Sequence, residues 1–147
     1  MAKGDDMLLV GTDERLIALE RAGNGWGQAW TALEGYSLSG LARDPTHPGR
    51  LLASAYGQGV FLSTDGGQNW RQVLVHNTWA IAVSPDGTAY AGIKPAAVAR
   101  SRDGGESWED LTQRVAKLPT YSQWDAPFPP YTAHVRTLAV RPGDPLV

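Results

Sequence analysis

An eleven-residue stretch occurs twice in this chain with the same turn chemistry, and that repetition constrains the fold more than any other feature. Val60-Phe61-Leu62-Ser63-Thr64-Asp65-Gly66-Gly67-Gln68-Asn69-Trp70 aligns without gaps on Val98-Ala99-Arg100-Ser101-Arg102-Asp103-Gly104-Gly105-Glu106-Ser107-Trp108. Val, Ser, Asp, both Gly and Trp are identical, and Asp65 and Asp103 stand 38 residues apart. A second motif, Leu or Ile, Ala, two residues and Pro, recurs at 41–45, 81–85 and 138–142, the first two copies 40 residues apart. Two independent motifs keep one period. The chain therefore consists of stacked copies of one supersecondary unit that cannot bury its apolar face alone.

Between the anchors, short apolar runs alternate with turn residues, as strands do. The unit at 37–77 reads as four strands, with Tyr-Gly-Gln-Gly and Asp-Gly-Gly as breaks. The unit at 78–118 repeats it with strands at 79–83, 88–93, 97–101 and 109–115, the first two joined by a Pro85-Asp86-Gly87 turn. A unit at 7–36 is degenerate: it starts at the second strand, and Trp30 marks a decayed copy of the Asp turn. No stretch shows a 3.6-residue apolar period of helical length. The period is close to the roughly 40 residues of a four-stranded propeller blade, so the expected fold class is all-β, about three blades of four antiparallel strands. Residues 134–142 then supply the first strand that the unit at 7–36 lacks.

Composition excludes several functions. The 147 residues contain no Cys, so there is no disulfide framework, thiol nucleophile or thiolate metal site. Thirteen Lys and Arg against 15 Asp and Glu leave no basic footprint for nucleic acid. No apolar run of about 18 residues exists to span a membrane, and the polar start followed by four apolar residues at 7–10 does not resemble a secretory signal. A cytoplasmic location is the expectation. His47, His76 and His134 lie far apart and without ligand spacing, so neither a metal nor a cofactor is expected.

The shared octapeptide, Ser-x-Asp-x-Gly-x-x-Trp, resembles the Asp-box, or BNR repeat, of sialidase-like β-propellers and their many non-enzymatic relatives. Ser63, Asp65, Gly67 and Trp70 match every defining position, as do Ser101, Asp103, Gly105 and Trp108. The resemblance implies structural turns at the periphery: the carboxylate takes backbone N–H groups of its own turn, the Gly supplies positive φ, and the indole packs on the blade. It does not imply enzymatic activity. Sialidases of this fold carry an Arg-Ile-Pro element and a carboxylate-gripping Arg triad, which have no counterpart here. Xyloglucanases of this repeat type place two Asp across a cleft between two propellers. No catalytic residue is assigned.

One segment breaks the period. The Pro of the motif at 81–85 and that of the motif at 138–142 are 57 residues apart, which places an aromatic and proline-rich insertion at 117–133. It lies where blade connections reach the axial face. Trp124, Phe128 and Tyr131 are candidates to stack on a glycan or peptide, and His134 and Arg136 are candidates for polar contacts. The resulting expectation is a non-catalytic binding or assembly scaffold, similar to BNR-repeat proteins and propeller-type assembly factors. The alternative is a fragment of a glycoside hydrolase whose catalytic residues lie outside this chain. Three blades are too few to close a ring of about four to eight, so the open faces call for a missing remainder of a longer chain or for a homodimer in which two copies complete one propeller.

Overall fold

The computed structural model describes residues 6–126, 129 and 132–141. Their strands form three antiparallel sheets, and within each the spatial order follows the chain. The first contains β1 (Met7–Gly11), β2 (Leu16–Ala22) and β3 (Gly25–Ala32). The second contains β4 (Leu38–Arg43), β5 (Leu51–Ala55), β6 (Gly59–Ser63) and β7 (Arg71–Leu74), and the third β8 (Thr78–Val83), β9 (Ala89–Ile93), β10 (Ala97–Ser101) and β11 (Glu109–Asp110). Each is a meander closed by tight turns, which the alternation of apolar runs with Gly- and Asp-containing breaks dictates.

The second sheet is covered on both faces, and the two-residue period of a strand sorts its side chains between them. Leu52, Val60 and Leu62 meet Ile81, Ala89, Ala91 and Ala99 of the third sheet. Ala53, Ala55 and Phe61 point the other way, toward Leu33, Tyr36, Leu38 and Leu41. Full burial of Leu52 and Leu62 is worth about 2 to 3 kcal/mol each. The alanines of the third sheet keep its face flat, so the two sheets approach closely.

The two copies of the repeated turn make the same four hydrogen bonds. The Ser63 hydroxyl donates to Asp65 Oδ1 at 2.8 Å and accepts from Gly67 N–H at 2.9 Å; Asn69 N–H donates to Asp65 Oδ1, and Trp70 Nε1–H to Gly67 O. Ser101, Asp103, Gly105, Ser107 and Trp108 repeat the set. The N–H and amide of Asn69, with the Ser63 hydroxyl, hold the Asp65 carboxyl down at about 2. Ser107 does the same for Asp103, first through its hydroxyl and then its N–H, also to about 2. Gly67 and Gly105 adopt φ of +97° and +96°. Each is also a seat for the preceding sheet: an added Cβ would lie 2.7 Å from Trp30 Cη2 at Gly67 and 2.8 Å from Leu52 Cδ2 at Gly105.

Three expectations are corrected. Trp30 does not mark a decayed turn; it lies within β3 and packs over Gly67 of the next sheet. The strand expected at 109–115 ends after Asp110, because the Asp110 carboxylate accepts Thr112 N–H at 2.7 Å and turns the chain into a single helical turn, α1 (Thr112–Val115). Residues 134–141 of the strand expected at 134–142 form no strand and do not join the first sheet, which keeps three. Val135 rests instead on the third sheet, where its N–H donates to Ile93 O at 3.3 Å and its side chain sits over Gly92. Residue 142 lies outside the described residues. No helix among those described is long and apolar enough to cross a membrane.

Candidate functional site

Aligning the three copies of the Leu/Ile-Ala motif exposes two repeat positions that build one cleft. The first lies two residues before the Leu or Ile: Ser39, Trp79 and Arg136. In β4 and β8 this residue is a β-bulge, since the register passes from Leu38 to Gly40 and from Thr78 to Ala80. A bulged residue is released from the ladder and its side chain re-aimed. The second position follows the next strand: Tyr56 after β5 and Lys94 after β9. Its backbone is fixed each time by the same bond, Tyr56 N–H to Ser37 O at 2.8 Å and Lys94 N–H to Asn77 O at 2.9 Å.

Side chains repeat the pattern. Trp79 Nε1–H reaches back two residues to Asn77 Oδ1 at 3.0 Å, and Arg136 Nε–H reaches back two residues to His134 Nε2 at 3.1 Å. Val135 contacts the third sheet as Leu38 contacts the first, where Leu38 N–H donates to Thr12 O at 2.9 Å. Residues 134–136 are thus placed by the rule that places 37–39 and 77–79, although they pair with no strand. The bond from Arg136 leaves His134 Nε2 as acceptor and puts the proton of the neutral ring on Nδ1. Nδ1 is buried and without a partner among the described residues.

The later copies of these positions line a cleft of about 400 Å³, formed by Tyr56, Trp79, Lys94, Asp125, His134 and Arg136 together with further residues of the insertion. Its wall is an aromatic ladder: Tyr56 to Trp79 and Trp79 to His134 both have ring centroids 3.9 Å apart, the latter pair tilted by only 33°. The insertion closes one side through an antiparallel bridge between Asp125 and Thr132. Among the described residues Lys94 forms no ion pair, and Arg136 bonds to His134 alone. Among the described residues no group of three His, Asp or Glu converges to hold a metal.

Of the residues expected from sequence, the structure brings His134 and Arg136 together in this cleft. Trp124 lies elsewhere: it packs on Tyr121 with centroids 5.3 Å apart and lines a separate cavity of about 120 Å³ beside Pro95 and Ala96. Phe128 and Tyr131 lie outside the described residues. Trp79, Tyr56, Lys94 and Asp125 were not among the expected site residues. The signal for Tyr56, Trp79 and Lys94 is the repeat alignment, carried past the motifs into the neighbouring positions; Asp125 lies in the insertion, outside the repeat, and has no such signal.

No family model matches the chain, and no curated protein matches it. Among solved structures it is similar to YCF48 bound to a D1 peptide, at 22% identity and a TM-score of 0.53 over 69% of this chain and 36% of that one. It is similar also to an ancestral GH74 enzyme, at 20% identity and a TM-score of 0.56 over 72% of this chain and 17% of the enzyme. The fold is a β-propeller. The three sheets are blades, about three of them, and the chain spans well under two thirds of either propeller. At this level of identity the likeness defines architecture alone. β4 and β8 are the first strands of adjacent blades and face each other, and the cleft lies beside them where one blade meets the next.

Proposed function

We propose that the chain is a non-catalytic binding and assembly module of β-propeller architecture, and that the cleft at Trp79 takes an extended peptide. The observation that carries this reading is the aromatic ladder of Tyr56, Trp79 and His134, an apolar wall of the kind that anchors peptide side chains. The likeness to YCF48 bound to a peptide supports it, as does the Asp-box reading of the two turns, whose carboxylates are consumed by their own backbone. Trp124, Phe128 and Tyr131 enter this proposal only as residues of the insertion at 117–133, of which Asp125, Ala126, Pro129 and Thr132 line the cleft while Trp124 lines the neighbouring cavity.

The likeness to a GH74 enzyme favours a second reading, a fragment of a glycoside hydrolase. Glycoside hydrolysis needs two carboxyl groups facing across the scissile bond. Among the described residues that line the cleft, Asp125 is the one acid, and loop positions 127, 128, 130 and 131 are Pro, Phe, Pro and Tyr. Titration with a panel of short peptides, followed by Trp emission, is expected to show binding that Trp79→Ala abolishes. A panel of chromogenic glycosides is expected to give no turnover. Turnover abolished by Asp125→Asn would overturn the binding-module reading in favour of the hydrolase.

A further inference from the structure

We infer that the peptide bound in this cleft presents a carboxylate to Lys94 and Arg136 while its apolar portion rests on Trp79 and Tyr56; the inference rests on the peptide-cleft reading. The repeat supplies the argument. At the junction of the second and third blades the two repeat positions hold Tyr56 and Trp79, an aromatic pair in contact. One repeat further on, the same two positions hold Lys94 and Arg136, a cationic pair lining the same cleft. The construction is otherwise unchanged, down to the bond each bulge-position side chain makes two residues back. The cleft therefore changes from apolar to cationic within one repeat step, and Trp79 stacked on His134 is the seam between the halves.

Charge accounting points the same way. Elsewhere among the described residues Arg50 pairs with Asp44, Arg71 with Glu106 and Arg100 with Glu109, whereas Arg43 and Lys117 form no ion pair with a described residue. In the cleft Lys94 has no such partner among the described residues, and Arg136 donates its Nε–H to His134, its terminal nitrogens meeting no described acceptor. Among the described lining residues, two cations against the carboxylate of Asp125 leave a net positive site beside an apolar wall. The terminal nitrogens of a guanidinium match a carboxylate in bidentate geometry. A peptide carries a carboxylate either at its C-terminus or on an Asp or Glu side chain; the two present the same chemistry.

Three Trp-free peptides separate the outcomes: N-acetyl-Leu-Phe with a free carboxylate, N-acetyl-Leu-Phe-amide, and N-acetyl-Glu-Leu-Phe-amide. Each is titrated into the chain and its Arg136→Gln and Lys94→Met variants, with circular dichroism checking the fold. The expected result is that at least one acid binds about tenfold or more tightly than the neutral amide. That advantage should vanish in either variant and shrink as salt rises from about 50 to about 500 mM, while the amide's affinity stays unchanged. Which acid gains identifies the source of the carboxylate. Equal binding of acids and amide would overturn the carboxylate inference and leave the cleft standing. No binding of any of the three would overturn the peptide cleft and the inference with it.

Discussion

Replacing Gly92 by Ala tests whether the cleft depends on the docking of residues 134–136. Gly92 lies mid-strand in β9, and an alanine Cβ there would stand 2.6 Å from Val135 Cγ1, 2.8 Å from its Cβ and 2.9 Å from its carbonyl oxygen. Carbon atoms rest at about 3.5 to 4.0 Å, so the segment must retreat by about 1 Å. The bond from Val135 N–H to Ile93 O, already 3.3 Å long, does not survive such a shift. Loss of the Val135 contact costs about 1 to 2 kcal/mol. Alanine recovers up to about 1 kcal/mol of unfolded-chain entropy, so the net loss of stability lies between about 0 and 2 kcal/mol. The effect on the cleft is larger in proportion, because His134 and Arg136 move with Val135. Urea denaturation followed by Trp emission should show a small shift in midpoint. Hydrogen exchange at Val135 should accelerate, and affinity for the acidic peptide should fall about tenfold. A variant with wild-type exchange at Val135 and wild-type affinity would refute the reasoning that this segment rests on β9.

Other perturbations separate frame from site. Gly105→Ala combines a φ of +96° with a Cβ 2.8 Å from Leu52 Cδ2, and should destabilise the chain by about 2 to 3 kcal/mol in urea denaturation while leaving the affinity per folded molecule intact. Asp65 and Asp103, both held at about 2, have folded-state values below the roughly 3.9 of an unfolded Asp. Their contribution is present above about pH 4 and lost as the pH falls toward about 2. Stability measured against pH should therefore drop across that window, and the drop should flatten in Asp65→Asn/Asp103→Asn. Among the described residues β1 pairs on one side only and leaves Met7 and Leu8 exposed, so light scattering on the isolated chain should find more than one copy per particle; a stable single-chain particle would contradict this.

The frame was legible because its information is local and repeated. Ser63, Asp65, Gly67 and Trp70 bond within eight residues of one another, and a motif that closes on itself can be recognised without knowing its neighbours. The departures came where distant residues decide. Trp30 resembled a turn residue because only the fold shows that it covers Gly67 in the next blade. The strand expected to run through 115 stopped at Asp110 because a carboxylate competing for Thr112 N–H outweighs the apolar pattern that follows. The site was half legible: His134 and Arg136 stood out beside the insertion, whereas Trp79 and Lys94 carry no chemical signature alone. Each acquires meaning from the residue one repeat away, a comparison that needs the bulge register to show which positions are equivalent.

The bulge at Trp79 has a consequence for how such a protein can change. Because the residue stands outside the hydrogen-bonded ladder of β8, its identity is decoupled from strand pairing, and the same holds for Ser39 in β4. Hydroxyl, indole and guanidinium occupy successive copies of one position, 39, 79 and 136. The chemistry at this position is thus free to vary from blade to blade, while the glycine seats and Asp turns keep the blades in step whatever stands there.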